Sequence, residues 1–389
     1  MQKFPAYIFQ GFLFIWLAFT IVGCNNTAQD QITIGSKHTI HSSILKEDRS
    51  LWIHVPDVGE HDTTTRFPVL YLLDGDSHFY SVVGLVHQLS SVNGNDVCPK
   101  MVVVGIPNTI RARDLTPTHV TSAGADSSFF KPTGGGEAFT EFLSKEVIPY
   151  VEKNYPVSQQ RILVGHSLGG LMVINTLIRH QELFEKYVAI DPSLWWDDHK
   201  PLQEYQRSLT TSNFSNKGLF IAIANTIEMD TAHAMLDTLE KTDHFRSIIQ
   251  LTKTLRNTKT GLDWNVKYYG DEGHGSVPMI AEYDALHFLY RKIPITLDQA
   301  TLKTFEGSYK HQFTEGVDSF IEISVTEEGL MLHEKWSDRK IRFKPLSQVD
   351  FYAFDSHFPL RFIRNNDGEI KEVLAFNRDV WTRVTGEKH

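Results

Sequence analysis

The sequence predicts an α/β protein: a mostly parallel sheet with helices on both faces, followed by a small antiparallel β-domain. Three observations predict it. Short, continuous apolar runs recur from Phe67 to Tyr269, the pattern of strands buried on both faces. Helical periods lie between those runs, and strands alternating with helices give a parallel sheet joined by crossovers. From Gly307 to Val384 the text changes to short strands divided by turns, with no strong helical period.

Taken in order, residues 1–23 read as a signal peptide. Lys3 is the only charge before the apolar stretch Gly11–Gly23, which is too short and too close to the N-terminus for a spanning helix of about 20 residues. Ile21-Val22-Gly23-Cys24 resembles a bacterial lipobox, so Cys24 is expected to carry lipid and residues 24–35 to form a polar tether. That implies an exported protein anchored to a bacterial membrane. Residues 37–45 and 50–55 then read as a hairpin around the polar turn Lys46–Arg49.

The body of the chain, 36–292, carries apolar runs at Phe67–Leu73, Met101–Val104, Arg161–Val164, Tyr187–Ile190, Leu219–Ala224 and Trp264–Tyr269. Phe139, Phe142, Leu143, Val147, Tyr150 and Val151 fall on one helical face. Leu171–Ile178 and a segment from about Val277 are also helical by period. Residues 293–299 form a linker and 300–389 the β-domain, with turns at Glu327-Glu328-Gly329, Ser337-Asp338-Arg339 and Asn365–Gly368.

Composition narrows the function. With 389 residues and 41% hydrophobic side chains the chain can build a large core, and a net charge of −9 without a basic run argues against nucleic acid. Two cysteines exclude a disulfide scaffold or a Cys-rich zinc site, leaving Cys98 as a buried or idle thiol.

Gly165-His166-Ser167-Leu168-Gly169 matches G-x-S-x-G between a predicted strand and a predicted helix, the context in which the serine is held strained and exposed above the sheet. A serine hydroxyl needs a base, and the chain order is Ser, then acid, then His. Among 18 histidines, His274 stands out in the loop Gly270–Ser276 that follows the last long strand. The acid is expected after the Leu219–Ala224 strand: Glu228 first and Asp230 second. Asp191 is third, its turn Asp191–Trp196 reading rather as support for a pocket wall.

Backbone N–H groups of Leu168 and Asp76 are the expected oxyanion donors. Arg111 and Arg113 open a loop of about thirty residues, long enough to suggest function, and are candidates for meeting an anionic substrate; pairing of Arg113 with Asp114 is an equal reading. Trp195 and Trp196 are candidate substrate contacts, with core packing as the competing role. The chemistry calls for no metal and no organic cofactor.

Val69–Gly75, Arg111–Thr118, Gly165–Gly170, Pro192–Trp196 and His274–Ser276 together resemble an esterase family of α/β-hydrolases. The family includes enterochelin-type siderophore esterases, feruloyl and acetylxylan esterases and S-formylglutathione hydrolase. The resemblance covers about residues 36–292. It implies a serine carboxylesterase acting on a small-molecule ester through Ser167 and His274, and leaves the acid open because some siderophore esterases resemble dyads. A siderophore lactone leads. An acylated plant polysaccharide, a peptide, or an inactive scaffold that binds a partner at the membrane are the alternatives.

Overall fold

The computed structural model describes residues 32–57, 64–120 and 127–384. The proposed leader, the Cys24 lipidation site and most of the tether lie outside them.

Eight strands form the first sheet: β1 (Ser36–Ser42), β2 (Glu47–His54), β3 (Phe67–Leu73), β4 (Val102–Ile106), β5 (Val157–His166), β6 (Lys186–Ile190), β7 (Gly218–Ala224) and β8 (Asp263–Tyr269). Their order is β1-β2-β4-β3-β5-β6-β7-β8. β1 and β2 run antiparallel, β2 runs antiparallel to β4, and every later pair is parallel. β3, β4 and β7 are buried along their whole length, as their unbroken apolar runs require. Two cores cover the faces, one around Phe139, Leu171 and Trp196 and the other around Phe79, Val86 and Ala281.

The first hairpin differs from the expected one. Its turn is Ser43–Lys46, and Glu47–Arg49 belong to β2. Arg49 is 1% exposed because its guanidinium is hydrogen-bonded to Glu47 and Asp114, so a residue read as a polar turn is an interior tie. The helical face from Phe139 to Val151 is real but interrupted. Helix Gly136–Phe142 passes through a π stretch, Leu143–Val147, into helix Ile148–Asn154, which keeps Phe139, Phe142, Leu143, Val147 and Val151 buried.

The C-terminal part closes on itself. β9 (Gly307–Thr314), β10 (Val317–Val325), β11 (Leu330–Glu334), β12 (Lys340–Pro345), β13 (Asp350–Ala353), β14 (Phe358–Arg364), β15 (Ile370–Ala375) and β16 (Asp379–Arg383) are each antiparallel to their neighbours. Pairing of β16 with β9 makes a closed barrel, which leaves no edge strand. The expected turns fall between β10 and β11, β11 and β12, and β14 and β15.

The barrel meets the larger unit through Tyr352, whose hydroxyl donates to the Asp96 carbonyl, and through Ile295 N–H donating to Pro345 O. Lys292 also pairs with Asp96 at 3.0 Å. Asp96 lies beyond the C-terminal end of helix Gly75–Ser90, which starts where β3 ends. The barrel therefore docks at the end of the sheet away from Ser167. Cys98 is buried near this junction, and burial pushes its thiol up to about 12.

Candidate active site

β5 delivers Ser167 to the turn that opens helix Leu168–Arg179. Its backbone sits at φ 60°, ψ −116°, a conformation that side chains other than glycine rarely adopt. The turn closes because Gly165 lacks a side chain: a Cβ there would lie 2.5 Å from the Gly169 carbonyl. Ser167 N–H donates to Ile190 O, tying the turn to β6. The Ser167 hydroxyl lies 3.3 Å from that of Ser193, and among the described residues no hydrogen bond joins it to an imidazole.

His274 stands in the loop between β8 and helix Val277–Leu289. Its Nδ1 is 2.6 Å from Asp191 Oδ2. The expected acid, Glu228, is exposed after β7 and makes no such bond. Asp230 caps helix Thr231–Leu236, accepting from Ala232 and His233 N–H and from the His233 ring. The correction has a physical cause: the chain turns sharply at Asp191, at φ 42°, directly after β6, and this brings a fully buried carboxylate under the His274 loop. Asp191, ranked third in the sequence and given a supporting role, is the residue that meets His274.

Asp191 is densely satisfied. Oδ1 accepts from Ala224 N–H at 3.0 Å, and Oδ2 is also 2.9 Å from His244 Nε2, whose ring approaches obliquely. Burial acts to raise its pKa, but the close approach of the His244 ring and the hydrogen bond from His274 outweigh that and hold the carboxyl well below the usual carboxylate range. His244, second residue of helix Asp243–Asn257, went unnoticed in the sequence; nothing separates it there from the other histidines. The donor atoms of Asp191, His244 and His274 lie within 4.8 Å of one another, but both imidazoles face one carboxylate oxygen at hydrogen-bonding distance, the arrangement of a proton network.

A cavity of about 720 Å³ opens over these groups, lined by Ser167, Ser193, His244 and His274 on its floor and by Val120, Phe130, Trp195 and Trp196 on its walls. Trp195 is 37% exposed and its indole N–H donates to His244 Nδ1 at 3.0 Å. Trp196 is buried, stacks on Phe130 and donates to Thr118 O, so core packing accounts for most of it.

The arginines are not free for a ligand. Arg111 forks onto the buried Asp74 at 2.6 and 2.9 Å and also donates to His166 O, bracing the turn before Ser167. Arg113 donates to Asp114 and forks onto Glu47, the loop-fixing pairing. The expected role of both in binding an anion gives way to these ion pairs. Leu168 and Asp76 occupy the first turns of their helices, where N–H groups have no intrahelical acceptor, and neither residue lines the cavity.

Comparisons with known proteins bear on the family and the fold. A family model described as "Putative esterase" matches residues 42–263. The chain belongs to this esterase family. As an esterase it is 26% identical over 276 residues to the ferri-bacillibactin esterase BesA of Bacillus subtilis, covering 68% of this chain and 93% of that protein. It is 32% identical over 155 residues to a siderophore enterobactin esterase of Emericella nidulans, a match spanning 36% of this chain and 51% of the relative. Among solved structures, an IroE-like serine hydrolase from Shewanella oneidensis superposes with a TM-score of 0.60 at 31% identity, covering 69% of this chain and 84% of that one. The esterase is thus an α/β-hydrolase with a C-terminal barrel, and it hydrolyses esters.

Proposed function

We propose that this esterase opens the ester bonds of a siderophore by a serine mechanism. Ser167 Oγ attacks the carbonyl, His274 Nε2 takes the proton and returns it to the leaving alcohol, and water then releases the acyl-enzyme by the same route. Asp191 fixes the His274 ring with Nδ1–H inward, which leaves Nε2 as the basic nitrogen. The N–H groups of Leu168 and Asp76 receive the oxyanion. The observation that carries this reading is the 2.6 Å Asp191–His274 bond beside the strained Ser167, all at one cavity.

The siderophore substrate is supported by the relatives' activities. The charge of the cavity refines it. Among the described residues Asp198 and Glu240 line the rim with no ion pair within 4 Å, while Asp197 and Asp243 are paired with Lys200 and with His199 and Arg246. No unpaired guanidinium lines it among the described residues. Such a rim favours an uncharged, metal-free lactone over an anionic ferric complex.

The test is hydrolysis of a tricatecholate trilactone in metal-free and ferric forms, with short-chain p-nitrophenyl esters alongside, by wild type, Ser167→Ala and His274→Ala. Lactone opening by wild type alone, faster on the metal-free form, is expected. Turnover of the simple esters without any lactone opening would remove the siderophore reading, and turnover that survives Ser167→Ala would remove the serine mechanism. We also propose lipid attachment at Cys24, on the strength of the lipobox; incorporation of labelled fatty acid that persists in Cys24→Ser would reject it.

A further inference from the structure

Two imidazoles lie against Asp191 Oδ2, His274 in a direct hydrogen bond and His244 obliquely at 2.9 Å, and a Ser–His–Asp mechanism needs only one. The second belongs to His244, and its protonation state can be read from its other neighbour. An indole N–H is a donor only. Trp195 donates to His244 Nδ1 at 3.0 Å, so that nitrogen carries the lone pair and the ring's proton sits on Nε2, 2.9 Å from Asp191 Oδ2. The alternative tautomer would set two N–H groups against each other at Trp195 and aim a lone pair at a carboxylate.

We propose that His244, locked in its Nε2–H form by Trp195, is a positioning residue: it shares Asp191 Oδ2 with His274 and so limits how strongly the acid holds the base. The inference rests on the triad reading given above. It links the cavity wall to the proton-transfer machinery, because Trp195 faces the substrate space with one side of its ring system and fixes His244 with its N–H.

The sign follows from charge sharing. With His244 in place, the negative charge at Oδ2 is shared between the hydrogen bond from His274 and the obliquely approaching N–H of His244. Without it, the full charge faces His274, the imidazolium gains stability, and the ring takes up its proton at higher pH. The acid limb of the pH–rate profile then moves upward. Other titratable groups around the pair stay constant in such a variant. His166, at the end of β5, lies 4.5 Å from His274 between ring centres and is kept neutral because burial, with the neighbouring His274 and His78, pushes it down to about 4. Asp271 and Glu272 share the His274 loop, Asp243 is bonded to His199 at 3.1 Å, and Glu240 sits at the rim.

The experiment compares wild type, His244→Ala, His244→Gln and Trp195→Phe by pH–rate profile and by NMR titration of the His274 ring, which needs no turnover. His244→Ala should lower kcat roughly ten- to hundredfold with little change in KM and move both the acid limb and the His274 titration upward. His244→Gln, whose amide N–H can still donate to Asp191, should recover most of the difference. Trp195→Phe, which keeps a ring in the wall but removes the donor, should shift the titration in the same direction by less. A His274 titration unchanged in His244→Ala, or equally displaced in His244→Gln, overturns the proposal; if His244→Ala does not fold, an unchanged titration in Trp195→Phe does so. A displaced titration in a protein that opens no ester leaves this inference standing and fails the proposed function instead.

Discussion

Asp191 and Glu282 are both buried carboxylates, and they end in opposite states. They are the two ends of one file of side chains: Asp191 bonds His274, His274 lies 4.5 Å from His166 between ring centres, His166 lies 5.9 Å from His78, and His78 Nδ1 is 3.8 Å from Glu282 Oε1. Asp191 is 0% exposed, Glu282 5%. Asp191 has the Ala224 amide and the His274 imidazole as donors, with His244 Nε2 a further 2.9 Å away at an oblique angle, and stays ionised. Glu282 faces the apolar core formed around Val82 and Leu286, its Oε2 has no partner, and burial pushes it up to about 8. Burial is equal at the two ends; the number of donors decides the charge.

The largest effect should come from breaking the satisfied end. Asp191→Asn replaces one accepting carboxylate oxygen with an amide N–H that donates, so either Ala224 N–H or the His274 Nδ1–H loses its acceptor, and kcat is expected to fall by roughly three to four orders of magnitude, while Glu228→Gln stays within a few-fold of wild type. Steady-state assays of both variants decide which carboxylate serves His274. The hydrogen bonds to Asp191 also stabilise the fold above the usual carboxylate range, and that contribution is lost as pH falls through it toward Asp191's depressed value.

Asp74 extends the comparison to a carboxylate whose donors come mainly from an arginine. Arg111→Met leaves it buried with Asn108 as its remaining side-chain donor. Removing one member of a buried pair costs about 3–5 kcal/mol, and the partial exposure of Arg111 reduces that to roughly 2–3 kcal/mol. Chemical denaturation measures it. Turnover should fall too, because Arg111 braces His166 O; a variant with wild-type stability and a raised KM for anionic esters would restore the substrate-binding role.

At the unsatisfied end the sign reverses. Glu282 is ordinarily near 4.5 and is held near 8 in the fold, so its protonated form is favoured there. The stability it contributes is full below about 4.5 and is lost as pH rises through about 8. Glu282→Gln should therefore melt higher than wild type at pH 9, by roughly 3–6 °C, with the gap closing toward pH 5. An equal gap at both pH values would mean that Glu282 does not change charge in this range.

The smallest effect belongs to an exposed carboxylate. Asp198→Asn should raise kcat/KM for an anionic ester by no more than about threefold, and added salt should erase the gain.

The Ser167 turn was legible because its geometry is local: a strand, two glycines around a serine and a helix within a few residues make one strained turn. His274 was legible for the same reason, as the histidine in the glycine-flanked loop after the last strand. Most strands of the first sheet were found because apolar runs mark them, although the edge strand β8 is mostly exposed and β5 begins at Val157, four residues before its apolar run. The helix carrying His244 was missed as a site element, and the ends of the first hairpin were misplaced because Arg49 looks polar until Asp114 is brought beside it.

Sequence by itself therefore determined the sheet, the strained Ser167 turn and the loop that carries His274, each set by neighbours in the chain. Tertiary structure alone decided the acid, the second histidine, the fate of the arginines and the closure of the barrel. These depend on charges and backbone groups far apart in sequence meeting in a low-dielectric interior: Asp191 with His274, Arg49 with Asp114, β16 with β9. A buried carboxylate takes whichever donors the fold brings within reach, and linear spacing does not encode that distance.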